Sequence, residues 1–385
     1  MDDQKMKSKR IVIFLSMLFL LTAASALYSV LRLTPSHATV DQVIIQKSTA
    51  NHKTQQTPAL WRIPISSTVN KPTPLTSGWF VTDTNGRIIS LTETGDIRWQ
   101  TSYSNHAWQA SAVVDNETIC AVTQKGTLFL FELNSGAVKW SKETGTICLH
   151  PPLIEMLGQQ RVIILLSQED GTLVCLNALD GSIRWKSPAT SRSDGPPTRF
   201  GDMIAYGNCD AAVHLFSMTN GQLNGSIQLE GDEQVAGAIL PLPNEKLLVV
   251  GTRSGKLALL NTTSMTCISR VSVSEAEAFA TPVLVDAKRI FMPVSEGRLT
   301  FWKLDGDQLV ADDVIKLSSS FDETIVVNNI FWAIGNRSVV AVSITAPSKR
   351  LQYTTLGDDL RAIVPGVNGK TVLISDGELI CVKGF

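Results

Sequence analysis

Histidines, cysteines and adjacent acids are the reactive side chains of this 385-residue sequence, and their spacing decides which chemistry is open to it. His37, His52, His106, His150 and His214 make no HxxxH or HExxH pattern, so no two imidazoles are set to share a metal. Cys120, Cys148, Cys175, Cys209, Cys267 and Cys381 contain no CxxC pair, and none stands at ligand spacing from a histidine. No GxSxG elbow offers a serine nucleophile. Asn368-Gly369-Lys370-Thr371 and Gly251 to Lys256 look like phosphate loops only superficially. Neither completes GxxxxGK followed by Ser or Thr, and Asn-Gly between apolar runs is a hairpin signal. Asp312-Asp313 and Asp358-Asp359 fall in expected connections between strands and read as solvated loop acids. Spacing therefore supplies no catalytic residue, no metal site and no cofactor site, and the chain reads as a protein that is not an enzyme.

One segment has the composition of a contact site instead. Ser191-Arg192-Ser193-Asp194-Gly195-Pro196-Pro197-Thr198 combines a cation, an acid and paired prolines. It is expected as a stiff, exposed loop. A guanidinium on such a loop forms directional charged contacts of the kind that anchor protein interfaces.

The elements that hold this loop announce themselves by repetition. Trp99, Trp140 and Trp185 lie 41 and 45 residues apart, and each follows a glycine by four: Gly95, Gly136, Gly181. Nine or ten residues before those glycines stand Gly86, Gly126 and Gly171. A period of this size marks repeated supersecondary units. After the first glycine, apolar residues fill both faces of a short run, as in Thr127-Leu128-Phe129-Leu130-Phe131, which is the pattern of a buried strand. The second glycine occupies a polar turn, and the tryptophan belongs to the next antiparallel strand. Two further apolar runs precede each phrase, which makes four strands per period and predicts propeller blades.

Later copies keep the phase: Ala211 in place of glycine, Gly255, Gly297, the pair Asn336-Arg337, and Gly377. That makes eight starts, with seven as the competing count because the seventh copy is weak. From Gly377 the tryptophan slot would be residue 391, beyond Phe385. The last blade thus lacks its outer strand, and Leu60-Trp61-Arg62-Ile63-Pro64-Ile65 offers a spare one. The expectation is an all-β, eight-bladed propeller of four-stranded antiparallel blades over residues 59–385, closed by an N-terminal strand.

Ahead of it, residues 1–10 are basic (Lys5, Lys7, Lys9, Arg10) and residues 11–31 are apolar. Basic residues before an apolar run predict a cytoplasmic start and an exported remainder. The run is long enough for one membrane-anchoring helix, yet Ala24-Ser25-Ala26 resembles a signal-peptidase site, so anchor and cleaved signal both stay open. Residues 32–58 are polar and read as a flexible linker. The net charge of −1, with Lys and Arg scattered, gives no basic stripe for nucleic acid. The cysteines read as unpaired core thiols.

The repeat phrase, from Gly86, Gly126 and Gly171 to Trp99, Trp140 and Trp185, resembles the PQQ-like, or quinoprotein-type, β-propeller repeat. With its eight blades and N-terminal closing strand the chain looks most like the BamB family, the propeller component of the outer-membrane β-barrel assembly machinery. The resemblance is closest around Thr190–Asn208. It implies an exported, non-catalytic scaffold with a protein partner, and it makes Arg192 the first contact candidate, with Asp194 beside it. In the family, acids on the next inter-blade loop also take part; here Glu233 falls near one such position and Val235 replaces another. Ala189 and Ser191 stand where the family has leucines. The relatives also carry a lipidated cysteine after the signal region, whereas the first cysteine here is Cys120. Two other readings share the fold: a membrane-tethered sensor or surface-binding propeller, and a quinoprotein dehydrogenase. The last would need a Ca²⁺ ligand set and usually adjacent cysteines, which the sequence does not provide.

Overall fold

The computed structural model describes residues 59–385 apart from 67–68, 232, 243–245, 276, 279, 286–288, 297, 318–320, 336–337, 346–349, 355–359, 367 and 384–385. The apolar segment 11–31 (the expected anchor or signal), the linker 32–58, His37, His52, Gly297, Asn336-Arg337 and Asp358-Asp359 lie outside the described residues. Among the described residues no helix is long and apolar enough to cross a membrane.

Apolar runs of five or six residues, punctuated by glycine turns, fold here as eight four-stranded antiparallel sheets. Seven sheets use four consecutive strands, denoted A to D from the axis to the rim. The eighth takes Leu360–Pro365, Lys370–Ser375 and Glu378–Lys383 as A, B and C, and borrows Trp61–Pro64 as D. The expected closure is therefore observed: Trp61 lies opposite Cys381, Ile63 opposite Leu379, and the backbone amides of Leu60 and Ile65 donate to Cys381 and Gly377 at 2.8 Å. The weak seventh copy forms a full blade, Glu323–Val327 to Arg350–Thr354, which settles the count at eight. The Asn368-Gly369 pair makes a hairpin turn with φ of 57° and 66°, as its dipeptide demanded.

The core is a ring of apolar layers, one between each pair of neighbouring blades. Layers of this kind join the second and third blades (Cys120, Leu130, Ile163, Val174) and the eighth and first (Trp79, Val81, Val372, Cys381). Both faces of strands B and C are consequently buried, which is why these strands read as continuous apolar runs rather than alternating ones. All six cysteines are free thiols; burial pushes those of Cys120, Cys148, Cys175 and Cys381 up to about 12, and Cys209 and Cys267 are only partly buried. One expectation fails: Asp312 and Asp313 do not sit in a connection but in strand D of the sixth blade, Gln308–Lys316. A rim strand has a wet face that tolerates acids, and Asp312 pairs there with Lys303 at 3.1 Å.

The repeated tryptophan has a definite job, because it ties its blade to the following one. Trp99 lies against Gly136 of the second blade, so close that a Cβ on Gly136 would stand 2.6 Å from the indole, and its Nε1 donates to the Leu133 carbonyl at 2.8 Å. Gly136 also has φ of 73°, so glycine is required there twice over. Trp140 and Trp185 repeat the contact on Gly181 and Gly221, donating to the carbonyls of Ala178 and Met218. Trp61 closes the circle: it pairs with the eighth blade, stacks on Gly95 of the first and donates to the Glu93 carbonyl at 3.0 Å.

The fourth blade breaks the phrase and compensates for it. Gly225 occupies its tryptophan slot, and Met265, with φ of 55°, occupies the turn-glycine slot of the fifth blade. The Met265 side chain fills the missing indole's place, its Cε being 2.6 Å from where a Cβ on Gly225 would lie. The two positions have exchanged large and small. Gly225→Trp alone is expected to destabilise the ring by about 1–3 kcal/mol through overpacking. Met265→Gly added to it should recover most of that loss, a favourable coupling of about 1 kcal/mol or more. Urea unfolding of the four members of the cycle measures it, and additive effects would refute the exchange.

Burial also fixes a titration. His214 accepts from Asn208 Nδ2 at 2.9 Å and donates from Nδ1 to Ser226 Oγ at 2.7 Å, an arrangement that only the neutral ring can make. Burial holds its pKa below the ordinary 6.5. The unfolded chain therefore takes up the proton first as pH falls, so stability is full above about pH 6.5 and declines as pH drops through the folded value. Urea midpoints from pH 8 to 5 should show this slope, and His214→Gln should reduce it.

Candidate functional site

The chain runs alternately up and down each blade, so the A–B and C–D turns share one face of the ring and the B–C turns share the other with the D-to-A connections between blades. The segment 191–198 is such a connection, from Ile183–Lys186 of the third blade to Thr198–Phe200 of the fourth. It is not the freely exposed loop expected from its composition. Ser193, Gly195 and Pro197 are buried, and the backbone is stapled on both sides. The Ser193 amide donates to Gln168 O at 3.0 Å, its hydroxyl to Gly207 O at 2.7 Å, and the Cys209 amide to Arg192 O at 2.8 Å. From the preceding junction His150 Nε2 donates to the Asp194 carbonyl at 2.5 Å. Burial is the largest influence on His150 and lowers its pKa, so the ring stays neutral in this donor role.

This frame holds two side chains of opposite charge at the surface. Arg192 is 58% exposed, and its Nε and Nη2 both lie 3.0 Å from Asp194 Oδ1. Asp194 is half-buried and takes further donors from Gln168 Nε2 at 3.4 Å and the Cys209 thiol at 3.5 Å. Burial alone would raise its pKa, but the hydrogen bonds from Arg192, Gln168 and Cys209 outweigh burial and leave the carboxyl below its ordinary value. The carboxylate thus orients the guanidinium, which stays largely exposed. Chemically this is a recognition element: a fixed cation that can grip a carboxylate or carbonyl on a partner.

The structure brings Arg192 and Asp194 together and sets Glu233 apart. Glu233 is 1% exposed, its Oε1 2.5 Å from Lys256 Nζ and its Oε2 4.0 Å from Arg270 Nε. Two cations draw the carboxylate inward, so it presents no oxygen to a partner, contrary to the sequence expectation. Val235 is likewise core, packed against Gly207. The exposed acid of this same junction is Glu230, which pairs with Arg270, and in the junction after it Glu277 pairs with Arg253 at 3.3 Å. Arg253 repeats the geometry of Cys209: its amide donates to Gln234 O, as that of Cys209 does to Arg192 O. Sequence reasoning passed over this second ion pair, although Arg253 stands two residues before Gly255, the slot that Cys209 holds before Ala211. Among the repeat residues, Trp61, Trp99, Trp140 and Trp185 lie in D strands, and Gly86, Gly126, Gly171, Gly255 and Gly377 lie in B–C turns. Among the described residues no group of three or more His, Cys, Asp or Glu is placed to hold a metal ion.

Comparison with known proteins agrees with the fold. The sequence model of the family described as outer membrane protein assembly factor BamB matches residues 54–191 and 149–299. The chain is similar to the BamB of Yersinia pestis, 24% identical over 254 residues that cover 59% of this chain and 61% of that protein. It is also similar to BamB of Taylorella asinigenitalis, 26% identical over 199 residues covering 49% and 50%. A third relative, from Moranella endobia, is 26% identical over 156 residues covering 40% and 37%, so the chain spans less than two thirds of the length of these relatives. Among solved structures, BamB of Moraxella catarrhalis superposes with a TM-score of 0.61 at 16% identity, covering 84% of this chain and 98% of that one. The C-terminal WD40 domain of Sif2 does so with a TM-score of 0.67 at 13% identity, covering 86% and 98%. Likenesses this distant in sequence show the propeller fold alone.

Proposed function

The chain belongs to the BamB family of outer membrane protein assembly factors, and on that premise we propose that it is a non-catalytic scaffold of the cell envelope, assisting assembly of outer-membrane β-barrel proteins. The propeller is exported to the periplasmic side and is tied to the membrane by its N-terminal segment or released after signal cleavage. It works by presenting its D-to-A loop face to a protein component of the barrel-assembly machinery. The observation that carries this reading is the Arg192–Asp194 pair, held at the surface by a buried frame between the third and fourth blades.

The physical logic is preorganisation. Ordering a long charged side chain at an interface costs about 0.5–1.5 kcal/mol, and Arg192 is already oriented by Asp194 before any partner arrives. Arg253, in the B–C turn of the fifth blade, and Glu277, in the connection from the fifth blade to the sixth, extend the same charged face around the ring. Affinity purification of the full chain from detergent-solubilised envelope tests the assignment. Co-purifying barrel-assembly components are the expected result, and their absence under conditions that keep the propeller folded would remove the assignment.

A further inference from the structure

The face opposite the Arg192 loop carries nearly all of the ring's exposed large apolar side chains. Ile97, Val138, Ile183 and Leu223 each open a D strand, two residues before the tryptophan slot, in four consecutive blades. They are between 38% and 48% exposed. Each lies at the C–D turn end of its blade. The cause of their exposure is a bulge. Ile97 pairs with Leu91 and Trp99 with Ser90, leaving Arg98 extra, so aliphatic and indole point to opposite sides of the sheet. The second, third and fourth blades repeat this register shift. Leu179, 81% exposed in the third blade's C–D turn, and Met156, at the end of its A strand, join the same face. Leu60 does too, half exposed where the polypeptide enters the ring.

We propose that this face rests on a phospholipid bilayer carrying anionic headgroups, with these side chains as shallow insertion points. Three features favour lipid over a protein partner. The apolar groups come one per blade at a repeated slot, and separate aliphatic points beside cations suit a fluid interface. The bulged residue next to each aliphatic is basic in three blades, as Arg98, Lys139 and Arg184. In the first blade's turn the acid Glu93 is neutralised by Lys370 at 2.9 Å. Finally, the 58 residues before the ring, with the apolar run 11–31, join it at this face and not at the other. The proposal does not rest on the assembly role, which uses the opposite face.

The test uses the full chain in phosphatidylcholine vesicles containing phosphatidylglycerol. A nitrobenzoxadiazole label is placed at Leu179→Cys, or on the opposite face at Ala189→Cys, in a Cys209→Ser, Cys267→Ser background. Lipids spin-labelled on the acyl chain should quench the label at 179 at least severalfold more than that at 189. Lys139→Glu with Arg184→Glu should weaken the difference. Equal quenching at both sites, no quenching at 179, or a blue shift at 179 without lipid quenching would overturn the proposal. The last outcome would mean that protein covers the face: a second copy, a partner, or the chain's own apolar segment.

Discussion

Trp61→Ala is expected to lower the stability of the ring by about 3 kcal/mol, the low end for a core tryptophan because this indole is only partly buried. The residue serves four contacts at once. Its backbone pairs with Cys381 of the last blade, its ring packs on Gly95 of the first, and its indole N–H reaches the Glu93 carbonyl. It also meets Trp79 edge to face, with centroids 5.4 Å apart, and Trp79 is itself part of the layer between the eighth and first blades. Trp140→Ala breaks one junction inside a continuous stretch of chain. Trp61→Ala breaks the only junction whose two sides are the two ends of the described chain. Loss of the indole should therefore also speed amide exchange at Leu60, Ile65 and along Glu378–Lys383, where Trp140→Ala leaves exchange unchanged. A urea midpoint equal to that of the parent, or protection unchanged along Glu378–Lys383, would show that the N-terminal strand does not hold the ring shut.

Arg192→Glu is expected to weaken capture of the partner by roughly thirtyfold or more, the range of an interface anchor. The reversed charge would face Asp194 and repel the group that the wild-type guanidinium grips. The fold should not change, because the backbone bonds that hold the loop come from Ser193, Cys209 and His150 and not from the Arg192 side chain. Asp194→Asn should cost less than the reversal, since the amide still accepts from Arg192 but orients it less firmly. Glu233→Gln probes the corrected assignment: its loss of the pairing with Lys256 should be felt in stability and leave partner capture intact. Pull-down efficiency against thermal midpoint separates the two kinds of effect.

Much of the fold was legible because repetition reports it directly. Glycine and tryptophan recur where turn geometry and blade-to-blade packing demand them, and the missing tryptophan after Gly377 announced the borrowed strand. The exchange of Gly225 and Met265 was hidden because either residue alone looks like decay of the phrase; only their contact shows that one replaces the other. The bulge at Arg98, Lys139 and Arg184 was hidden for another reason. Simple alternation puts Ile97 and Trp99 on one face, and the extra residue that separates them leaves no mark of its own in the sequence. The site was half legible. Arg192 and Asp194 stood out by type, but the burial of Glu233 depends on Lys256 and Arg270, residues 23 and 37 positions away that the fold brings beside it. Asp312-Asp313 was misplaced because a rim strand, wet on one side, has the composition of a loop.

A photo-crosslinking phenylalanine analogue at Ser191, beside the Arg192–Asp194 pair, reports on the docking face in intact cells. Irradiation followed by mass spectrometry should yield an adduct with a barrel-assembly component, and the same analogue at Leu179 should not yield it. No adduct from position 191, or the same adduct from both faces, would contradict the docking geometry on which this account depends.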